Sequence, residues 1–136
     1  MGFIPYAYGT GASDAYEYFT TTALGEVEIG TAMTVNQGEP EVVSGTEKPT
    51  YIAMKQGTFQ AGDEIALIRV KPTTRFVTTF SADGAAVNLG DKLQISADGT
   101  QVTASTGGCF EVTEIKGTNI GDEVIGRFVE VEGGAA

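Results

Sequence analysis

The stretch LGDKLQISADGTQV, residues 89–102, decides how the chain is read. Asp91, Asp98, Lys92, Gly90, Gly99 and Thr100 crowd together there as they would in a ligand site. Yet Leu93 and Ile95 alternate with Lys92, Gln94 and Ser96, the period-two pattern of a half-buried strand. The wording around that strand recurs. Leu24-Gly25-Glu26-Val27, Ala61-Gly62-Asp63-Glu64-Ile65, Leu89-Gly90-Asp91-Lys92-Leu93 and Ile120-Gly121-Asp122-Glu123-Val124 share one scheme: apolar, glycine, acid, then a returning apolar residue. Ser81-Ala82-Asp83-Gly84 reappears as Ser96-Ala97-Asp98-Gly99. Glycine takes the positive φ that closes a turn, and aspartate can bond its own backbone two residues on. Gly62-Asp63, Gly90-Asp91 and Gly121-Asp122 therefore read as punctuation before strands, with the apolar residues on both sides docking into the core. Asp83-Gly84 and Asp98-Gly99 read as central pairs of hairpin turns. The glycines are spaced too irregularly for a solenoid.

The same period governs the chain from Leu24 onward. Phe76, Thr78 and Phe80 share one face of a strand over residues 75–80, and Ile65 to Val70 is apolar on both faces, which places it centrally in a sheet. Further strands are expected near 26–35, 40–44, 50–56, 100–104, 109–115 and 122–131, the last with a bulge at Gly126-Arg127 that returns Val129 and Val131 to register with Val124. The best helical stretch is one turn at Ser13–Glu17, with Ser13 as cap. Short strands divided by Gly and Asp turns define an all-β, single-domain β-barrel or β-sandwich.

Composition narrows the function. The net charge is −10, from 18 acids and 8 bases without a basic cluster, so no nucleic-acid partner is expected. No apolar run is long enough for a membrane span, and the N-terminus lacks the pattern of a secretory signal. The lone Cys109 rules out an internal disulfide. With no histidine in the chain, neither Cys109 nor any serine has an imidazole to activate it, and no enzyme is expected. Glu130 and Glu132 on one strand face leave an acidic hydrolase as a remote reading. A stronger rival takes Asp83, Asp91, Asp98 and Asp122 as oxygen donors of a calcium-dependent carbohydrate- or ligand-binding β module. That rival lacks a D-x-D-x-D-G loop and a tryptophan platform for sugars. No cofactor and no resident metal are expected.

Residues 1–22 differ from the rest. Phe3, Tyr6, Tyr8, Tyr16, Tyr18 and Phe19, half of the chain's aromatics, are set among Pro5, Gly9, Gly11 and Ser13. Such a segment cannot bury its rings locally. It either packs on the body of the domain or serves as an extended arm for another protein. The organisation expected is an arm over 1–22, a β domain over 23–132 and a flexible tail over 133–136. Phe3, Ile4, Tyr6, Tyr8, Tyr16, Tyr18 and Phe19 are the candidate anchors.

The run from ALGEVEIGTAMTV through GDEIALIRVKPTTRFVTTFSA, NLGDKLQISADGTQVTAS and GGCFEVTEIKG to IGDEVIGRFVEV resembles the small capsid decoration (cement or head-auxiliary) proteins of tailed bacteriophages. The resemblance spans most of 24–131. It implies a β domain on the outer capsid surface of the virion, made in the bacterial host cytoplasm, that binds the major capsid protein and stabilises its lattice. It further implies a homo-oligomer, with a trimer favoured, and an N-terminal arm ordered on the shell.

Overall fold

The computed structural model describes residues 2–8 and 14–130. Thirteen strands follow one another among them: β1 (Ile4–Ala7), β2 (Glu17–Thr20), β3 (Gly25–Val27), β4 (Ala32–Asn36), β5 (Glu39–Val42), β6 (Tyr51–Ala53), β7 (Gly57–Phe59), β8 (Glu64–Arg69), β9 (Arg75–Thr79), β10 (Lys92–Ile95), β11 (Val102–Thr106), β12 (Phe110–Ile115) and β13 (Glu123–Phe128). They form a six-stranded sheet in the order β1-β9-β13-β12-β10-β11, a five-stranded sheet β2-β8-β6-β4-β5, and a ribbon β3-β7. Every ladder is antiparallel. Both sheets coil strongly. Phe80, just past β9, bridges Val102 of β11, and edge strands β2 and β5 come within 8 Å, Cα to Cα, without pairing. The all-β expectation holds, and of its two forms the sandwich-like one is found: neither sheet closes into a continuous barrel.

Alternation along the central strands sorts the core into two clusters. In β6, Ile52 faces the six-stranded sheet, while Tyr51 and Ala53 face the hollow of their own coiled sheet. In β8, Ile68 goes one way and Ile65 and Leu67 the other, so this strand is buried on both faces and lies inside its sheet, as its apolar run requires. Val27 and Phe59 of the ribbon complete the inner cluster. Between the sheets, Phe3, Phe76, Phe110 and Phe128 pack with ring centroids 5.1–5.5 Å apart in tilted and edge-on pairs.

The repeated Gly-Asp motif is a turn of one design. The N–H of Asp63 donates to Gln60 O, that of Asp91 to Asn88 O and that of Asp122 to Asn119 O, at 3.0–3.1 Å. Gly62, Gly90 and Gly121 hold φ between 88° and 93°, the positive value that the third residue of a type II turn needs. The carboxylate then reaches back: Oδ2 of each aspartate accepts the N–H of Gln60 (2.7 Å), Asn88 (2.9 Å) or Asn119 (3.0 Å). The bond thus runs three residues backward, not two forward, because the turn places the first N–H beside the fourth side chain. Asp122→Ala should cost about 1 kcal/mol, the scale of a lost side-chain cap. A denaturant midpoint shift with an unchanged slope would show it, and Asp122→Asn should recover part of the loss.

The forward pattern belongs to the other repeat. Oδ1 of Asp83 accepts from Ala85 N at 2.9 Å, and Oδ1 of Asp98 from Thr100 N at 3.1 Å. Asp98-Gly99 is not the central pair of its hairpin, however. Gly99 N donates to Ser96 O, so Ala97 and Asp98 are central and Gly99 follows. Asp83-Gly84 closes no hairpin at all: Gly84 N donates to Thr118 O and ties one loop to another.

Four other expectations are corrected. The strand over 26–35 divides into β3 and β4 at a turn, where Thr31 N and Oγ1 both donate to Glu28 O. The stretch 50–56 ends at Ala53, and Gly57–Phe59 forms the unforeseen ribbon strand β7. Asp14–Tyr16 is not helical and Glu17 opens β2, because pairing with β8 outweighs one capped turn. The bulge lies across the ladder from its expected place. Val112 pairs with Gly126 and Glu114 with Ile125, leaving Thr113 as the extra residue. A Cβ on Gly126 would stand 2.3 Å from Glu111 O, with the Phe110 ring next nearest. Ser13, Gly9, Gly11, Val131, Glu132 and the tail over 133–136 lie outside the described residues.

Candidate functional site

The anchors expected in residues 1–22 occupy three different environments. Phe3 must be withdrawn from the set. It is 0% exposed, its ring packs on Phe110 and Phe128, and its N–H donates to Gly30 O at 2.7 Å. A ring enclosed in its own core cannot fill a partner's pocket. Ile4, Tyr8 and Phe19 are half-buried; Tyr8 packs on the inter-sheet cluster, and Phe19 lies edge-on to Tyr51 at 5.2 Å. Tyr6, Tyr16 and Tyr18 remain exposed, Tyr18 at 62%. Arg75 sits 5.4 Å over the Tyr6 ring. The described parts of this segment supply edge strands to both sheets, β1 on β9 and β2 on β8.

β2 is fastened by charge. Arg69 Nε and Nη2 donate to the two oxygens of Glu17 at 3.0 and 2.9 Å, Tyr51 donates to Glu17 at 3.1 Å, and Lys71 pairs with Asp14 at 2.9 Å. The Arg69 hydrogen bonds, against some desolvation and with help from Tyr51, hold the Glu17 carboxyl below the ordinary value of 4.5. A depressed carboxylate contributes stability that is complete above 4.5 and lost as pH falls through the folded-state value. Glu17→Gln should therefore lower the melting temperature at neutral pH, and the gap to the parent should close in acid. A constant gap across that range would contradict this latch.

Two further apolar side chains, Leu89 and Ile120, were expected inside the core and are 66% and 68% exposed. Each is the second residue of a type II turn, a position that points outward. β10 and β13 both run antiparallel to β12, so these two turns lie at one end of the six-stranded sheet. Gly84 N to Thr118 O and Gly121 N to Phe80 O, at 2.8 and 2.9 Å, join their loops. Local periodicity cannot separate such tips from core positions. Only their place inside a Gly-Asp turn marks them.

Burial pushes the Cys109 thiol up to about 12, and the side chain is fully enclosed. Asp98 lies beside a cleft of about 320 Å³ lined also by Glu26, Glu28, Val27, Thr31 and Val42. Burial works to raise its carboxyl, but hydrogen bonds from Ser96 and Thr100 outweigh that and hold it low. Among the described residues no three of Asp, Glu and Cys come together as a metal-holding group, and Asp83, Asp91, Asp98 and Asp122 do not converge. What the surface offers is a set of exposed apolar side chains on fixed backbone.

Two coiled antiparallel sheets and a ribbon, without a helix among the described residues, make this a small sandwich-like β domain. Among solved structures it is similar to the head fiber gp8.5 N base of bacteriophage phi29, with a TM-score of 0.57 and 18% sequence identity over 84% of this chain and 94% of that one. At that identity the likeness is one of fold. No family model and no curated protein matches the chain.

Proposed function

We propose that the chain is a structural, non-enzymatic protein of a tailed-phage head, bound to the outer surface of the shell. The observation that carries this reading is the fold likeness to a phage head-fibre base over most of both chains. The surface supports it: Tyr6 and Tyr18 on strands, Tyr16 just before β2, and Leu89 and Ile120 on turns are large, exposed side chains. Exposed tyrosines are hot-spot material for a protein partner, and the exposed aliphatic groups add apolar contact area. In this reading the partner is the major capsid protein, the chain acts as a cement in several copies, with a trimer favoured, and the N-terminal segment, built into the sheet edges, presents Tyr6, Tyr16 and Tyr18 as contacts. A net charge of −10 keeps decorated particles apart and keeps the chain off DNA.

Co-sedimentation with undecorated, expanded shells of the source phage tests it. Saturable binding of the parent, weakened at least tenfold in Leu89→Glu/Ile120→Glu or in Tyr16→Ala/Tyr18→Ala, is expected. Absence of binding by the folded parent would refute the reading.

A further inference from the structure

The coiled five-stranded sheet leaves a face whose partner its charge identifies. β2 and β5 are its two edges, and they approach within 8 Å. Phe19 turns inward, so Tyr18 and Thr20 turn outward, and Tyr16 precedes them in phase. On β5 the register Val35 to Pro40 sends Pro40 inward and leaves Glu39 and Glu41 outward and exposed. The six-stranded sheet covers the middle of the outer face, through Ala32, Ile52 and Ile68, and not these edges. Tyrosines and glutamates thus line the two sides of one open seam.

Carboxylates outnumber cations there. Residues 1–47 contain no lysine or arginine, but they hold Asp14, Glu17, Glu26, Glu28, Glu39, Glu41 and Glu47. Lys71 and Arg69 neutralise Asp14 and Glu17. Among the described residues no ion pair reaches Glu39 or Glu41. Aromatic faces beside unpaired carboxylates favour guanidinium, which stacks on the first and pairs with the second.

We propose that the β2–β5 seam is a docking surface for an extended, arginine-bearing segment of a partner protein, which lies across Tyr16 and Tyr18 with Glu39 and Glu41 opposite. The segment lies over the seam and not within it. Inserting a strand needs two ladder spacings of about 4.8 Å each, more than the edges allow at their approach. That the segment belongs to the shell protein rests on the function proposed above; the chemistry of the seam does not.

The test is ¹H–¹⁵N NMR titration of the full chain with a ten-residue peptide of alternating arginine and threonine, against one of alternating glutamate and threonine. Expected are shifts concentrated at residues 14–20 and 39–42 for the first peptide alone, with binding that weakens as salt rises. Tyr16→Ala/Tyr18→Ala and Glu39→Gln/Glu41→Gln should each weaken binding about fivefold or more. Their unperturbed spectra elsewhere would establish that they fold. Shifts centred on the Glu26, Glu28 and Asp98 cleft, equal affinity in the variants, or no binding would overturn the proposal. No shell enters this assay, so its failure leaves the head-protein reading to the sedimentation result.

Discussion

Phe3→Ala should destabilise the domain by about 3–5 kcal/mol, the range for an aromatic ring removed from a closed core. The melting temperature should fall by about 10 °C or more. The reason is the cavity. Phe3 touches the rings of both Phe110 and Phe128 and is fully enclosed between the sheets, so nothing flexible can collapse into the space. Tyr18→Ala on the neighbouring edge strand, where the ring is 62% exposed, should change stability by no more than about 0.5 kcal/mol. A thermal or denaturant melt of the two variants separates a segment built into the fold from one that merely hangs from it. Equal, small effects would mean that residues 2–8 are dispensable for the fold.

Gly108→Ala should destabilise the domain by about 3 kcal/mol or more. A Cβ there would lie 2.1 Å from Leu93 O, 2.3 Å from Leu93 C and 2.5 Å from Gln94 N. All three are backbone atoms of β10, and the strand cannot move without losing Leu93 and Ile95 from the core. Gly90→Ala is the control. Its site has a φ of 88° and open space around it, so it should cost only the left-handed penalty of about 1–2 kcal/mol. Similar losses in the two variants would contradict the close approach at Gly108.

Much of this fold is legible in single residues and their neighbours. Phe76, Thr78 and Phe80 fall on one buried face because a strand alternates, and Thr78 satisfies its buried hydroxyl on Thr100 O at 2.8 Å. The Gly-Asp turns are legible because a positive φ has few tenants. What escapes is long-range. Nothing near Phe3 announces that β12 and β13 will close over it. The extra residue of the β12–β13 ladder is Thr113, whereas the irregular sequence, Val124 to Val131, is on the other strand; a ladder distributes its misfit between both chains. Leu89 and Ile120 look like core residues by pattern and are tips by geometry. The proposed interaction surface is thus half legible: Tyr6, Tyr16 and Tyr18 stand out as aromatics among turn-formers, while Glu39 and Glu41 acquire meaning only when the sheet coils and brings β5 beside β2.

Binding to the phage shell is tested most directly by electron cryomicroscopy of expanded shells incubated with the purified chain and imaged beside bare shells. Added density is expected on the outer surface at fixed lattice positions, into which the two coiled sheets fit with the β2–β5 seam or the Leu89–Ile120 rim against the shell protein. Shells with no added density, although the chain in the same mixture is folded, would contradict it.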